Sequence, residues 1–120
     1  MAHPVVHFEI AAKDYDKISG FYRQLFGWAI DKNNPMDYGM VNTGSSDGIQ
    51  GGIMAATGGM PGYLTMYVQV EDLEATLAAA GRLGAKTIVP PTPIPGMGAF
   101  AMFHDPEGNL IGLFKGGAAQ

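Results

Sequence analysis

Two side chains that can transfer protons or bind a metal ion, His7 and Glu9, lie two residues apart in the stretch VVHFEI. Because alternate residues of a β-strand point to the same face, these groups would lie about 6–7 Å apart on one surface of a sheet. They could act as an acid–base pair or as two ligands of one metal ion. A histidine that is only hydrogen-bonded to a neighbour is the structural alternative.

The composition excludes several other kinds of chemistry. The chain of 120 residues has no cysteine, which removes disulfides, thiol catalysis and thiolate metal sites. Its basic residues are scattered and its formal net charge is -4, so it lacks the positive patch that nucleic-acid binding requires. No apolar run reaches the roughly 18–20 residues of a membrane span, and the N-terminus does not read as a signal peptide. We expect a cytoplasmic protein with no nucleic-acid or membrane partner.

The elements that would position His7 and Glu9 begin with an alternating strand over residues 5–10. Asp14 is a typical N-cap, and the helix that it starts should end at Gly27. Three short strand candidates follow, WAIDK, YGMVNT and GGIMAAT, and SSDGIQGG is interpreted as a flexible connector. The predicted apolar stripe of the helix consists of Tyr15, Ile18, Phe21, Tyr22, Leu25 and Phe26.

The same pattern then recurs. A second alternating strand covers residues 63–70, Asp72 is the second N-cap, and Gly84 should terminate the second helix. KTIVP, GAFAMFH and NLIGLFK are further strand candidates, and DPEG joins the last two through a tight turn. The proline-rich segment 90–98 is either a rigid connector or a lid.

Strand, helix and three strands therefore occur twice, over residues 5–57 and 63–115. Since a repeat of this length cannot easily close its own core, we predict one α+β domain, 1–120. In it, two βαβββ modules form a cupped mixed sheet with the helices on the outer face. The other face would line a ligand cavity, with a simply solvated face as the alternative. The residues assigned to this cavity are Tyr63, Thr65, Tyr67, Gln69, Phe100, Met102, His104, Gly112 and Phe114.

Two stretches carry a family resemblance. HFEIAAKDYDKISGFYRQLFGW resembles the opening strand and helix of the vicinal oxygen chelate superfamily, which contains glyoxalase I, bleomycin-resistance proteins and extradiol dioxygenases. FHDPEGNLIGLF resembles the closing hairpin of that superfamily. The resemblance covers residues 5–115 and is closest to small bacterial proteins related to lactoylglutathione lyase. It implies the doubled βαβββ fold but no single activity, because the superfamily hosts several chemistries on one scaffold.

The resemblance also implies where a metal ion would bind, on the first and last strands of each module. His7 falls on one of these positions, Thr65 on another, and Gly112 where relatives carry a glutamate; Gln50 is the polar candidate for the fourth. A Lewis-acid site needs about three protein ligands, so we expect no cofactor. The alternative is a divalent metal ion bound by His7 together with Glu9 or Gln50.

Gly112 also interrupts an apolar strand. A glycine there usually marks a bulge, a bend or the close approach of another group. We predict that the missing side chain leaves space for a ligand or for a neighbour such as Phe114 or Met102.

Two functional hypotheses follow. In the first, the protein is like the bleomycin-resistance proteins, lacks the usual metal-ligand set, and binds a small aromatic or amphipathic molecule in the cup of a homodimer. In the second, it is a lyase or isomerase related to lactoylglutathione lyase, with His7 as base or metal ligand and Glu9 assisting. Thr65 is a poor metal ligand and Gly112 has no side chain that could bind a metal ion, so both residues favour the first hypothesis. Whether the chain is an enzyme stays open.

Overall fold

A computed structural model describes residues 2–34 and 36–117. The chain divides into two compact units, one formed by His7–Thr65 and one that combines the residues up to Val6 with those from Met66 onward. Along the chain the elements are β1 (Val5–Ala12), α1 (Tyr15–Phe26), β2 (Ala29–Asp31), β3 (Gly39–Asn42), β4 (Gln50–Ala55), β5 (Tyr63–Gln69), α2 (Leu73–Arg82), β6 (Lys86–Ile94), β7 (Gly98–His104) and β8 (Leu110–Gly116).

The first unit builds a sheet with the strand order β2-β3-β4-β1. β1 runs parallel to β4, while the β3–β4 and β2–β3 pairs are antiparallel, so the sheet is mixed. Phe8 packs with residues of α1 around Ile30, Val41 and Ile53. Because side chains alternate along a strand, His7 and Glu9 point to the opposite face, which we call the helix-free face.

The ends of α1 are those that the sequence predicts. The Asp14 side chain accepts a hydrogen bond from the Lys17 backbone N–H at 3.0 Å, and Gly27 ends the helix in the left-handed region at φ 70°. A side chain with a Cβ is disfavoured in that conformation, which is why glycine suits this position.

The predicted apolar stripe of α1 is too wide. Tyr15, Ile18 and Tyr22 pack against the core, but Phe21, Leu25 and Phe26 are each more than half exposed. A helix lying on a sheet presents only about a third of its circumference to that sheet. The three outer side chains therefore do not belong to the core.

The second unit repeats the arrangement, with the strand order β5-β8-β7-β6. β5 runs parallel to β8, and the β7–β8 and β6–β7 pairs are antiparallel. Val70, Leu73, Ala101 and Leu113 form its core, where α2 packs on the sheet. The predicted α+β class, with two βαβββ modules built on mixed strand pairing, is confirmed.

The DPEG turn also forms as predicted. The Gly108 N–H donates to the Asp105 carbonyl at 2.8 Å, and Gly108 has the left-handed φ of 88° that this place in the turn requires. The Asp105 side chain accepts from the backbone of Glu107 and Asn109, so the turn is stabilised by one carboxylate.

The proline-rich segment is neither a lid nor a connector. Its first part continues β6, and Thr92, Pro93 and Ile94 pair with β7. Irregular register between Thr87 and Thr92 accompanies the prolines. β6 is the last strand in its order, and an edge strand tolerates proline because one side of it needs no ladder hydrogen bonds.

The second helix also ends as predicted. Gly84 is left-handed at φ 104°, and the Ala85 N–H donates to the Ala80 carbonyl at 2.9 Å, which is the usual glycine-terminated helix end. The connector interpretation of SSDGIQGG was wrong at its end. Gln50–Gly52 belong to β4, of which GGIMAAT had covered the two glycines.

Candidate functional site

Glu9 lies at the centre of a hydrogen-bonded network on the helix-free face of the first sheet. The carboxylate belongs to a residue that is only 4% exposed. The Tyr38 hydroxyl donates to its Oε1 at 2.8 Å, and the Tyr63 hydroxyl donates to its Oε2 at 2.5 Å. Bonds from two phenols compensate the burial of a charged group, which would otherwise be strongly unfavourable.

His7 joins this network through Tyr38. Its Nε2 lies 2.9 Å from the Tyr38 hydroxyl oxygen, and the two rings are stacked with their centroids 6.0 Å apart. A phenol has one proton, and Tyr38 donates it to Glu9. The His7 Nε2 must therefore carry a hydrogen and donate it to Tyr38, which defines the tautomer of this imidazole.

The protonation state of His7 follows from its burial. Burial lowers the pKa of the imidazole below its ordinary value of 6.5, and the nearby Glu9 carboxylate offsets part of this effect. The neutral form is therefore favoured at pH 7, as a proton acceptor requires.

Tyr38 is placed in the network by its backbone and by a glycine. The Asn34 side chain donates to the Tyr38 carbonyl at 2.6 Å and accepts from the Tyr38 N–H at 3.1 Å. The ring then lies directly on Gly52, where a Cβ would overlap the ring and hydroxyl atoms of Tyr38. Since Glu9 is the cross-strand partner of Gly52, this packing brings the phenol to the carboxylate.

Sequence reasoning missed Tyr38. It was assigned only to a strand candidate, yet it lies immediately before β3 and contacts residues 29 and 31 positions away. The available signal was the pair Gly51–Gly52 in the strand beside His7 and Glu9, because a glycine in a strand often marks the close approach of a ring.

Tyr63 and Thr65 lie on one face of β5, within the first unit. The Tyr63 hydroxyl also approaches the Met54 sulfur at 3.8 Å, and Thr65 is buried. Gln50 is the register partner of His7, but its amide oxygen accepts from the Thr43 backbone N–H at 2.6 Å. Gln50 thus joins β4 to the end of β3.

The remaining residues assigned to the cavity share the helix-free face of the second sheet. Register places them in adjacent cross-strand rows, since β5 pairs with β8 and β8 with β7. The rows are Tyr67–Gly112–Met102, Gln69–Phe114–Phe100 and, at the far end, Leu110–His104. Tyr67 and Met102 are buried, whereas Gln69 is exposed.

Gly112 makes room for Tyr67. A Cβ at Gly112 would lie 2.5 Å from Cδ2 and Cε2 of the Tyr67 ring, which packs flat on this glycine. The β7–β8 register continues regularly through Gly112, so no bulge explains it. Phe114 and Met102, the neighbours predicted to fill this space, do not fill it. The ring of Tyr67, the cross-strand partner of Gly112, lies there instead.

The network predicts an alkaline effect on stability that depends on Tyr63. Burial, followed by the bond to the Glu9 carboxylate, raises the pKa of this phenol above its ordinary value of 10.0. The folded protein thus holds the proton more tightly than the unfolded chain, so this stabilisation is complete below pH 10.0 and declines above it. Urea unfolding at about pH 8 and about pH 11 should show this loss.

The Tyr63→Phe variant checks this prediction, because it lacks the titrating group. We expect its free energy of unfolding to fall less between the two pH values than that of the wild type. Tyr22→Phe, which changes a tyrosine packed in the first core, is the control. An identical fall in the wild type and in Tyr63→Phe would contradict the prediction.

Sequence comparison identifies relatives over nearly the whole chain. The family model described as the Glyoxalase/Bleomycin resistance protein/Dioxygenase superfamily matches residues 5–113. The anthracycline biosynthesis protein DnrV of Streptomyces peucetius is 26% identical over 132 residues, covering 94% of this chain and 47% of that protein. The chain spans 39% to 47% of the length of the first curated relatives that it matches.

Solved structures with the same fold include two enzymes. Methylmalonyl-CoA epimerase from Mycobacterium tuberculosis has a TM-score of 0.69 at 17% identity, covering 94% of this chain and 87% of that one. The Mn(II)-bound glyoxalase from Novosphingobium aromaticivorans has a TM-score of 0.64 at 17% identity, covering 95% and 40%. Such identities show the fold alone. Neither described helix is long and apolar enough to cross a membrane.

That glyoxalase is Mn(II)-bound, and a metal centre of this kind requires about three protein ligands close together. Within residues 2–34 and 36–117, no three histidine, aspartate or glutamate side chains come together as a metal-binding group. Tyrosine rings occupy the space beside Gly52 and Gly112, and a phenol lies between His7 and Glu9. The donor groups of the described residues therefore do not fit a metal centre.

Proposed function

The chain belongs to the Glyoxalase/Bleomycin resistance protein/Dioxygenase superfamily, and we propose that its function is to bind a small aromatic or amphipathic molecule at the helix-free faces of its sheets, without the metal-ligand set usual in the superfamily. Binding sites for small molecules combine apolar and aromatic walls with a few well-placed polar groups. The described part of each helix-free face has such a composition.

The network around Glu9 is the observation that carries this proposal. It places a buried carboxylate, two phenols and a neutral imidazole on one sheet face. Aromatic rings offer flat apolar surfaces, and their hydroxyl groups offer hydrogen bonds at the edge of those surfaces. A ligand with a flat ring and a polar edge matches both properties.

The second helix-free face and a relative support the same ligand class. Tyr67 lies on Gly112 and meets Phe100 edge-on, with ring centroids 6.5 Å apart. DnrV is named for the biosynthesis of anthracyclines, which are fused-ring aromatic compounds. Both observations support a ligand with a flat aromatic ring.

Calorimetric titration with a panel of fused-ring aromatic compounds tests the proposal. We expect at least one compound to bind with a dissociation constant on the order of micromolar. The Glu107→Ala variant, changed at the exposed closing turn, should bind it equally well, whereas Tyr67→Ala should bind it at least about tenfold more weakly. Failure of the whole panel to bind the wild type would reject the proposal.

A second candidate function, proton transfer in a lyase or isomerase, is favoured by the unbroken chain from His7 through Tyr38 to Glu9. A neutral His7 can accept a proton from a carbon next to a carbonyl group, and hydrogen bonding through Tyr38 to Glu9 would stabilise the resulting imidazolium. Incubation of carbonyl compounds in deuterium oxide tests this candidate. Deuterium should enter beside the carbonyl with the wild type but not with His7→Gln, and equal incorporation by both would remove His7 from this role.

A further inference from the structure

We propose that the space over Gly52, bounded by His7 and Glu9, is a phenol-binding subsite, filled in this structure by Tyr38 and taken by a phenolic group of the ligand when the ligand binds. This inference rests on the proposed function and names its ligand class, a hydroxylated aromatic compound. All residues that define the subsite belong to the first compact unit.

The shape of the subsite is that of a flat ring. Gly52 presents bare backbone where any other residue would place a Cβ within the Tyr38 ring. Glu9 and Met40 are the cross-strand partners of Gly52 on its two sides, and the His7 ring is stacked on the Tyr38 ring at an interplanar angle of 24°. An aromatic ring in this space would therefore lie on the backbone of Gly52, with the Glu9 carboxylate at its edge and the His7 ring stacked on it.

The polar groups select a hydroxyl among the substituents that such a ring can carry. The occupant must donate to the Glu9 carboxylate and, through the same atom, accept from the His7 Nε2 hydrogen. A phenolic hydroxyl does both. An aromatic carboxylate cannot donate, an ammonium group cannot accept, and a bare ring does neither. Each mismatched group would leave a buried polar partner unsatisfied.

Local features of the chain make Tyr38 replaceable. It follows Asp37, which has a left-handed φ of 52°, a conformation that is uncommon outside glycine, although aspartate adopts it more readily than most residues. The segment before β3 is braced by short-range bonds from one side chain, Asn34, to Met36 and Tyr38. Movement of Tyr38 would break these local bonds without unpairing β3 from β4.

The Tyr38→Ala variant tests the subsite by removing its present occupant. We expect this variant to bind 4-methylphenol, the side chain that it lacks, at least about tenfold more tightly than toluene, which has the same ring without the hydroxyl. The wild type should bind 4-methylphenol at least about tenfold more weakly than Tyr38→Ala, because its own phenol competes. Tyr38→Phe, which keeps the ring in place, is the matched control and should resemble the wild type.

Equal affinity of folded Tyr38→Ala for 4-methylphenol and toluene, or no binding of 4-methylphenol, would overturn the inference. If circular dichroism shows Tyr38→Ala to be unfolded, the wild type is titrated with 2-naphthol and naphthalene instead. Bound 2-naphthol should then abolish the nuclear Overhauser contact between the Tyr38 and His7 rings. The inference would be overturned if the wild type bound 2-naphthol no more tightly than naphthalene, or if the contact between the two rings persisted with 2-naphthol bound.

The proposed function can fail separately. A wild type that binds no aromatic compound, beside a Tyr38→Ala variant that selects 4-methylphenol, would show a phenol-shaped packing site that no external ligand reaches, and this overturns the exchange part of the inference together with the function. A wild type that binds aromatic compounds regardless of a hydroxyl would keep the function and overturn only the phenol subsite.

Discussion

Replacing Gly112 by alanine is expected to lower the free energy of unfolding by about 1–3 kcal/mol, the range for inserting an extra methyl group into a well-packed site. The added Cβ would lie 2.5 Å from two carbons of the Tyr67 ring. Tyr67 is only 7% exposed, so its ring has little room to move away. Urea unfolding followed by circular dichroism measures the change.

Another glycine of the same strand provides the matched control. Gly116 also lies in β8, and a Cβ there would meet no atom within 4 Å. We therefore expect Gly116→Ala to change the free energy of unfolding by no more than about 0.5 kcal/mol. Equal effects of the two substitutions would mean that the loss reflects strand propensity rather than contact with the ring.

A double-mutant cycle assigns the effect to Tyr67. In a Tyr67→Phe background the ring remains, so Gly112→Ala should cost the same as in the wild type. In a Tyr67→Ala background the ring is gone, and we expect most of the loss to disappear, a coupling on the order of 2 kcal/mol. A full loss in the Tyr67→Ala background would contradict the packing explanation.

Replacing Glu9 by glutamine is expected to lower the free energy of unfolding by about 2 kcal/mol, because the amide can accept from only one of the two phenols. The Glu9 carboxylate receives a bond from Tyr38 at one oxygen and from Tyr63 at the other. In glutamine one of these oxygens becomes an N–H₂ donor facing a phenol that also donates. Hydrogen bonds to a charged group are worth about 1.5–3 kcal/mol each.

Desolvation of the buried Glu9 carboxylate acts in the opposite direction. Removing a buried charge returns the free energy that its desolvation required. We expect the lost hydrogen bond to dominate, since leaving buried donors unsatisfied is the more unfavourable outcome. Higher stability of Glu9→Gln than of the wild type would show that desolvation of the carboxylate outweighs its bonds.

Two variants complete the Glu9 test. Glu107→Gln, at the exposed closing turn, should change stability by no more than about 0.5 kcal/mol. In a Tyr63→Phe background, Glu9→Gln should be less harmful, because no second hydroxyl then faces the amide nitrogen. The same loss in both backgrounds would argue that the network is not held together through Tyr63.

The regular elements could largely be predicted because their signals are local. Asp14 and Gly27 are at the ends of α1 as their side chains require, and the alternation of VVHFEI places His7 and Glu9 on one face opposite Phe8. Errors in the bounds of elements occur where a glycine or proline allows several local structures. The proline-rich part of β6 is an example, since only its pairing with β7 makes it a strand.

The candidate site could be predicted only in part. His7 and Glu9 were identified from residue type and spacing, and the second-sheet group from Tyr67 to Phe114 shares one face as its alternation predicts. Tyr38 could not be found in this way, because its bonds to Glu9 and His7 connect residues 29 and 31 positions apart. Such contacts depend on how segments pack, which no local pattern encodes.

Local sequence signals are sufficient to predict the doubled βαβββ plan, the ends of α1, the closing turn, and His7 and Glu9 as the two reactive groups of the first strand. These follow from short-range sterics, capping and the alternation of strands. What His7 and Glu9 contact depends on tertiary packing. It places Tyr38 between His7 and Glu9 on Gly52, and folds Tyr67 over Gly112. A glycine leaves space at a known position of the strand, but the packing of residues distant in sequence determines which ring fills that space.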